Sequence, residues 1–481
     1  MNDSPLINAD LAPVPESERT WSKWHIAALW VGMSVCIPTY MLAAGLTAVG
    51  MNWWQAVFTV MLGNVIVLVP MILNGHGGTK YGIPFPVLVR SSFGTFGAHV
   101  PSIARALVAC GWFGIQTWIG GAALYSILVT LGWVALQPET VDLAFVGISL
   151  VELLCFLGFW LVHLVIVSTG IHSIKWLESY AAPFLIAAGF ALLIWAFVEV
   201  KDVSLLFSSE TSFAKGTNFW TYFFPMLTAM VGFWATLSLN IPDFTRYCAS
   251  QKEQALGQII GLPATMTVFC FIGVIVTSAT VLVFGEAIWD PVALVSRFES
   301  KAVVVGALFA VLLATLSTNL AANVVSPANG FSNLAPKFIS FRTGAIITCV
   351  IGILIMPWKL LDTLGDYVFT WLIGYSALLG PIAGIMLCDY FIVRRTRLNV
   401  AALYDPKGEY RGINWVAIVA LVLAVLPNVP GFINAITLSA GTVEARFDPM
   451  WDTIYSYAWF VGLVIGVFVY ALGMMAKGTK E

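Results

Sequence analysis

Residues 30–45 read WVGMSVCIPTYMLAAG, and residues 223–244 read FFPMLTAMVGFWATLSLNIPDF. In the first stretch Pro38 has no amide to donate and clashes with the preceding turn, which frees carbonyls near Ser34 to Ile37. In the second, Pro225 and Gly232 flank the middle of an apolar run. These stretches belong to the first and sixth apolar segments of the chain. Interrupted helices in those two places are what a five-plus-five inverted repeat predicts, with half-helix ends lining a central site. Plain kinks in packed helices are the other reading of the same residues.

Working outward, twelve apolar runs of membrane length follow one another, near 25–49, 53–73, 101–131, 141–168, 179–200, 219–240, 257–285, 300–325, 342–357, 364–393, 412–437 and 452–476. With 59% hydrophobic and 10% charged residues over 481 positions, the composition excludes a water-soluble enzyme. The 23 basic and 25 acidic residues nearly cancel, so no polyanion-binding surface and no nucleic-acid partner is expected. Seven cysteines lie in or beside apolar segments, never as CxxC, and imply neither a disulfide framework nor a metal site. The first 20 residues contain no apolar stretch, so the first span is expected to direct insertion without a cleavable signal.

An even number of spans puts both tails on one side. If that side is cytoplasmic, 17 of the 23 Lys and Arg fall in inner segments, and only Lys201, Lys215, Arg297, Lys301, Lys359 and Arg446 fall outside. The bias predicts a multi-pass protein of the plasma (inner) membrane with both termini cytoplasmic. The expected organisation is a tail over 1–24, a ten-helix core over 25–393 with repeats 25–200 and 219–393, a linker over 394–411 containing YDPKGEYRG, two accessory helices over 412–476 and a tail over 477–481. The Gly- and Pro-rich stretch from Asn74 to Gly97 is expected to form a short re-entrant or surface helix buried in protein. Its GGTK lacks the spacing of a phosphate loop.

Acidic residues are nearly absent from span centres: Glu152 and Glu178 sit toward span ends, and Asp243 and Asp389 at inner ends. The span interiors instead hold Ser34, Thr39, Gln116, Thr117, Ser317, Thr318, Asn319 and Asn323. Neutral polarity of this kind suits an uncharged ligand with several donors and acceptors, and hydroxyls with free carbonyls suit a hard cation such as sodium. Trp112 and Gln116 in ACGWFGIQTWIGG are four apart and share a helical face, where an aromatic plane can stack a flat ring and the amide can bind its edge. Taken singly, each also serves as a packing residue. Ala314, Ser317 and Thr318 fall within about one turn of the eighth span; such a face suits a cation site and tight helix packing alike.

At these residues the chain resembles the nucleobase:cation symporter-1 family, through IPTYMLA, LNGHGGTKYGIPFPV, ACGWFGIQTWIGG, WATLSLNIPDFTRY, STNLAANVVSPANG and LLGPIAGIMLCDYF. The resemblance runs from about Leu11 to Lys477. It implies an all-α membrane protein with 12 transmembrane helices, a LeuT-type 5+5 inverted repeat plus two C-terminal helices, and alternating access. It further implies that Trp112 and Trp234 sandwich a planar substrate and that Gln116 and Asn323 bind its edge. The Ala314 carbonyl and the Ser317 and Thr318 hydroxyls would hold sodium, together with carbonyls near Ser34 and Ile37. Pro38 stands where the family's hydantoin transporter uses a Gln to touch substrate.

The expected function is import of a small cyclic ureide or pyrimidine (allantoin, uracil or a hydantoin) coupled to sodium, by a chain that acts as a monomer without an organic cofactor. A proton-coupled permease for cytosine or purines is the alternative, with His163 or Glu152 able to titrate. A membrane-embedded hydrolase lacks a motif such as HExxH, and a passive channel would need a continuous polar stripe.

Overall fold

Apolar runs of membrane length must satisfy their backbone groups internally, which helices do. The computed structural model describes residues 4–135, 143, 146–169, 186–361, 366–439 and 445–478. Their regular structure is helical apart from isolated bridges, one of which pairs Trp21 with Cys248.

The first span is two helices, α1 (Lys23–Ser34) and α2 (Ile37–Ala48), bent by 61°. Between them Cys36 is extended at φ −137°, ψ 159°. Pro38 lies in the first turn of α2, where a missing N–H costs nothing, so it starts a second half-helix rather than kinking a continuous one. Helix α3 (Trp53–Tyr81) overruns the expected end of the second span at residue 73. The glycines of Asn74–Gly97 that extend α3 serve close packing: a Cβ on Gly78 would stand 2.8 Å from Pro242 Cα. The expected short helices follow as α4 (Phe85–Leu88) and α5 (Arg90–Phe93), both buried.

Next come α6 (His99–Thr130), α7 (Leu150–Thr169) and α8 (Ile186–Glu199). The expected start of the fifth span, with Lys175 and Glu178, lies outside the described residues, as does Lys480. The sixth span comprises α9 (Phe219–Phe233) and α10 (Ala235–Asn240), followed by α11 (Pro242–Thr245). Its break falls at Trp234, φ −103°, ψ 7°, while Pro225 remains inside α9. Gly232 is required by close approach, because a Cβ there would collide with Ser376 Oγ and stand 3.0 Å from Leu372 O.

The second half continues with α12 (Gln251–Phe284), α13 (Pro291–Val295), α14 (Lys301–Asn323) and α15 (Val325–Leu334). Val324, at φ −111°, ψ −45°, is a third interruption. Then come α16 (Phe341–Leu354), α17 (Ile373–Leu387), α18 (Val400–Leu403), α19 (Trp415–Val425), α20 (Val429–Ser439), α21 (Pro449–Tyr455) and α22 (Ala458–Lys477). Among the described residues eight helices are long and apolar enough to cross a membrane, or nine with the bent α1–α2 pair. The shorter apolar helices Ile186–Glu199, Phe219–Phe233 and Phe341–Leu354 fall on the fifth, sixth and ninth predicted spans.

Helix α6 lies along α14, α1 along α12, and α17 along α22. The N-terminal tail packs onto the helices as a strap. Leu11 is fully buried, and its carbonyl accepts from Tyr404 Oη at 2.6 Å. Arg90 Nη2 donates to Leu6 O (3.0 Å), Arg246 Nη1 to Asp10 O (2.8 Å) and Asn8 Nδ2 to Ser332 Oγ (2.7 Å). The strap thus ties together the ends of α5, α11 and α15.

Candidate substrate and cation site

Helix α6 carries Trp112 and, one turn on, Gln116, both buried. Around Trp112 stand Phe233, Trp371 and Tyr375, with ring centroids 5.2, 6.2 and 6.5 Å away. Trp234 occupies the break between α9 and α10, 5.0 Å from Phe233 and 5.1 Å from Trp30 in edge-on geometry. Phe233 therefore touches both predicted tryptophans. Tyr375 Oη donates to Gly232 O at 2.9 Å, which pins α17 to the α9 end beside the break. The Oε1 atom of Gln116 is buried and accepts no hydrogen bond from the protein. A buried amide oxygen without a donor costs about 1–3 kcal/mol, so a ligand N–H placed there recovers that cost.

Asn323, the other predicted amide, ends α14 beside the Val324 interruption. Its Nδ2 donates to Asn319 Oδ1 at 2.9 Å. Asn319 Nδ2 in turn faces Phe113 O (3.1 Å), Thr117 Oγ1 (3.2 Å) and His163 Nε2 (3.1 Å). The network joins α14, α6 and α7 and reaches the residue next to Gln116. His163, read from sequence as a group able to titrate, is fully buried in this network. Glu152 instead caps the start of α7, its Oε2 accepting from Ser149 N at 2.9 Å.

The predicted cation residues gather where α14 meets α1 and α2. Thr318 Oγ1 donates to Gly32 O at 3.2 Å, so the first-span carbonyl it reaches is that of Gly32. Ser34 Oγ is buried without a protein partner, while Ser34 O accepts from Cys36 N at 3.0 Å. Ala314 lines a cavity of about 70 Å³ together with Cys36, Ile37 and Tyr40. Ser317 is buried on the same helix, and Pro38 is buried two residues after Cys36. An orphaned hydroxyl, a hydroxyl bonded to a carbonyl and an unwound backbone are oxygen groups of the kind a hard monovalent cation takes.

A second buried polar chain joins α6, α10, α15 and α11. Arg105 Nε donates to Asn240 Oδ1 at 2.9 Å, Asn240 reaches Ser326 Oγ, and Ser326 Oγ bonds Asp243. Asp243 Oδ1 also accepts from Phe85 N at 3.0 Å. Burial raises the Asp243 pKa, against the lowering pull of Ser326, Arg246 and Arg105. Burial likewise lowers Arg90 to about 10. In the sequence these three arginines, Arg90, Arg105 and Arg246, count only as inner-side charge. Sequence reasoning also missed Phe233, Trp371 and Tyr375, because aromatic residues are common throughout such chains.

Interrupted helices around a buried aromatic and amide site, in an all-helical membrane fold, define a transporter of the LeuT-type inverted-repeat class. Residues 13–462 match the model of the permease family for cytosine/purines, uracil, thiamine and allantoin, and the chain belongs to that family. It is 45% identical over 484 residues to the purine-uracil permease of Arabidopsis thaliana, covering 100% of this chain and 79% of that one. It is 38% identical to the allantoin permease of Bacillus subtilis, covering 98% of this chain and 93% of that one. In three dimensions it is similar to a nucleobase-cation-symport-1 family transporter solved in a closed conformation with bromovinylhydantoin bound. The TM-score is 0.79 at 27% identity, covering 98% of this chain and 96% of that chain.

Proposed function

We propose that this permease is a sodium-coupled symporter that imports a small planar cyclic ureide or pyrimidine, such as allantoin, uracil or a hydantoin, by alternating access. The observation that carries the reading is Gln116 Oε1, buried and without a protein donor one turn from Trp112. A flat ring stacks on the aromatic wall, a contact of roughly 1–3 kcal/mol per ring on such platforms, and its polar edge engages Gln116 and Asn323. Trp112, Trp234, Gln116, Asn323 and Pro38 are assigned to substrate.

Sodium is assigned to Ser34, Ile37, Ala314, Ser317 and Thr318. A cation held jointly by the first and eighth spans favours the arrangement in which those spans are close. That preference couples ion to substrate as a linked equilibrium. The ten helices over 25–393 form the moving core, 412–476 the accessory pair, and the chain works as a monomer in the plasma membrane. The basic-residue bias supports cytoplasmic termini.

Tryptophan fluorescence of the purified protein, titrated with uracil, allantoin, benzyl-hydantoin and cytosine in sodium and in choline buffer, tests the assignment. Quenching by a ureide or pyrimidine that tightens with sodium is expected. Quenching indifferent to sodium moves the coupling to protons, and no quenching by any of the four overturns the pocket.

A further inference from the structure

The two amides of the site are not equivalent. No protein donor holds the Oε1 of Gln116, which leaves that amide adaptable toward a ligand. Asn323 is fixed. The Nδ2 of Asn319 faces three acceptors, Phe113 O, Thr117 Oγ1 and His163 Nε2, at 3.1–3.2 Å. Each of the three is itself committed to accepting. Phe113 O is a main-chain carbonyl. Thr117 spends its hydroxyl proton on Phe113 O at 2.7 Å. His163 Nδ1 lies 3.0 Å from Phe159 O, which can only accept, so Nδ1 carries the ring proton and Nε2 the lone pair. Asn319 must therefore point its nitrogen at this cluster and its oxygen at Asn323. Asn323 answers with its own nitrogen, at 2.9 Å, which turns its Oδ1 away from Asn319.

We propose that Asn319, locked by His163, Thr117 and the Phe113 carbonyl, is a positioning residue that makes Asn323 a fixed hydrogen-bond acceptor and so selects ligands presenting an imide N–H at that edge. The inference rests on the assignment of Asn323 to substrate. Uracil and hydantoins carry an N–H between two carbonyls; cytosine has a ring lone pair in that place, which would meet the Asn323 oxygen lone pair to lone pair. The adaptable Gln116 reads the rest of the edge. An apolar residue at 319 frees Asn323 to flip and removes the discrimination, whereas an acid there still accepts from Asn323 Nδ2 and keeps it.

The test is competitive binding of uracil, benzyl-hydantoin and cytosine to the full-length protein, read by tryptophan quenching, for wild type, Asn319→Leu and Asn319→Asp. Wild type is expected to prefer uracil over cytosine by at least about tenfold, the order of one mispaired buried edge. Asn319→Leu is expected to lower that ratio by about tenfold without weakening cytosine, and Asn319→Asp to retain it. A structural role alone weakens all ligands together and leaves the ratio unchanged, which overturns the proposal while sparing the site. Wild type binding cytosine as tightly as uracil overturns it without any variant, even if the variants fail to fold. Failure of all three ligands to bind wild type overturns the site assignment itself.

Discussion

Replacing Gln116 by Leu separates a ligand-binding amide from a packing amide by the sign of two effects. The side chain is buried, and its Oε1 receives no hydrogen bond from the protein. Leu has similar volume and no polar atom, so no protein donor loses a partner at Oε1 and the transfer of the side chain into the interior becomes more favourable. The ligand-free protein should therefore melt at the wild-type temperature or above it. Substrate, by contrast, loses its partner at that edge and has its own N–H buried against a methyl group, a cost of about 1–3 kcal/mol, or roughly 5- to 150-fold in Kd. The assay is a pair of measurements on detergent-purified protein: thermal unfolding without ligand, and fluorescence titration with the best-bound ureide or pyrimidine. A lower melting temperature with unchanged Kd would refute the reasoning, because Gln116 would then be bridging helices rather than waiting for a ligand.

Further outcomes follow from the same geometry. Trp112→Ala should weaken substrate by about 10- to 100-fold through loss of one stacking face, and it should also destabilise the fold, since Trp112 packs on Phe233, Trp371 and Tyr375; titration and melting separate the two effects. Thr318→Val removes the hydroxyl that meets Gly32 O and should abolish the tightening of substrate by sodium while preserving affinity in choline. Arg105→Met leaves Asn240 Oδ1 without its donor and should lower the melting temperature, at a cost of about 1–3 kcal/mol. Asp290 caps α13 by accepting from Val292 N at 3.0 Å, and burial raises its pKa. The folded state therefore holds its proton more tightly than the unfolded chain, and stability falls as pH rises from the ordinary carboxylate range through the raised value. Asp290→Asn keeps the cap, so it should raise the melting temperature at neutral pH and make no difference below the ordinary carboxylate range.

The fold was legible because membrane spanning imposes a length: runs of about 20 apolar residues separated by polar connections mark out spans with little ambiguity. The site was legible where one helix supplies both partners, as Trp112 and Gln116 do at a separation of four. It was obscure where partners come from different spans. Nothing in the sequence brings Phe233, Tyr375 and Trp112 together, or links His163 to Asn319. Interruptions were read from Pro and Gly, which located the first break near Pro38 but placed the sixth too early. The actual breaks at Trp234 and Val324 involve residues with no intrinsic preference for a break. The sequence marks residues 1–24 only as a tail, whereas in the structure the carbonyls of Leu6, Asp10 and Leu11 accept from buried or half-buried donors on other elements. Backbone acceptors carry no signature in composition.

Sodium-driven accumulation tests the central claim most directly. The purified protein in sealed liposomes, given radiolabelled uracil or allantoin outside and an inward sodium gradient, should concentrate label above its external level and release it when the gradient is dissipated. Equilibration to the external level without accumulation, at the same rate in sodium and in choline with no pH gradient imposed, would contradict a sodium-coupled symporter.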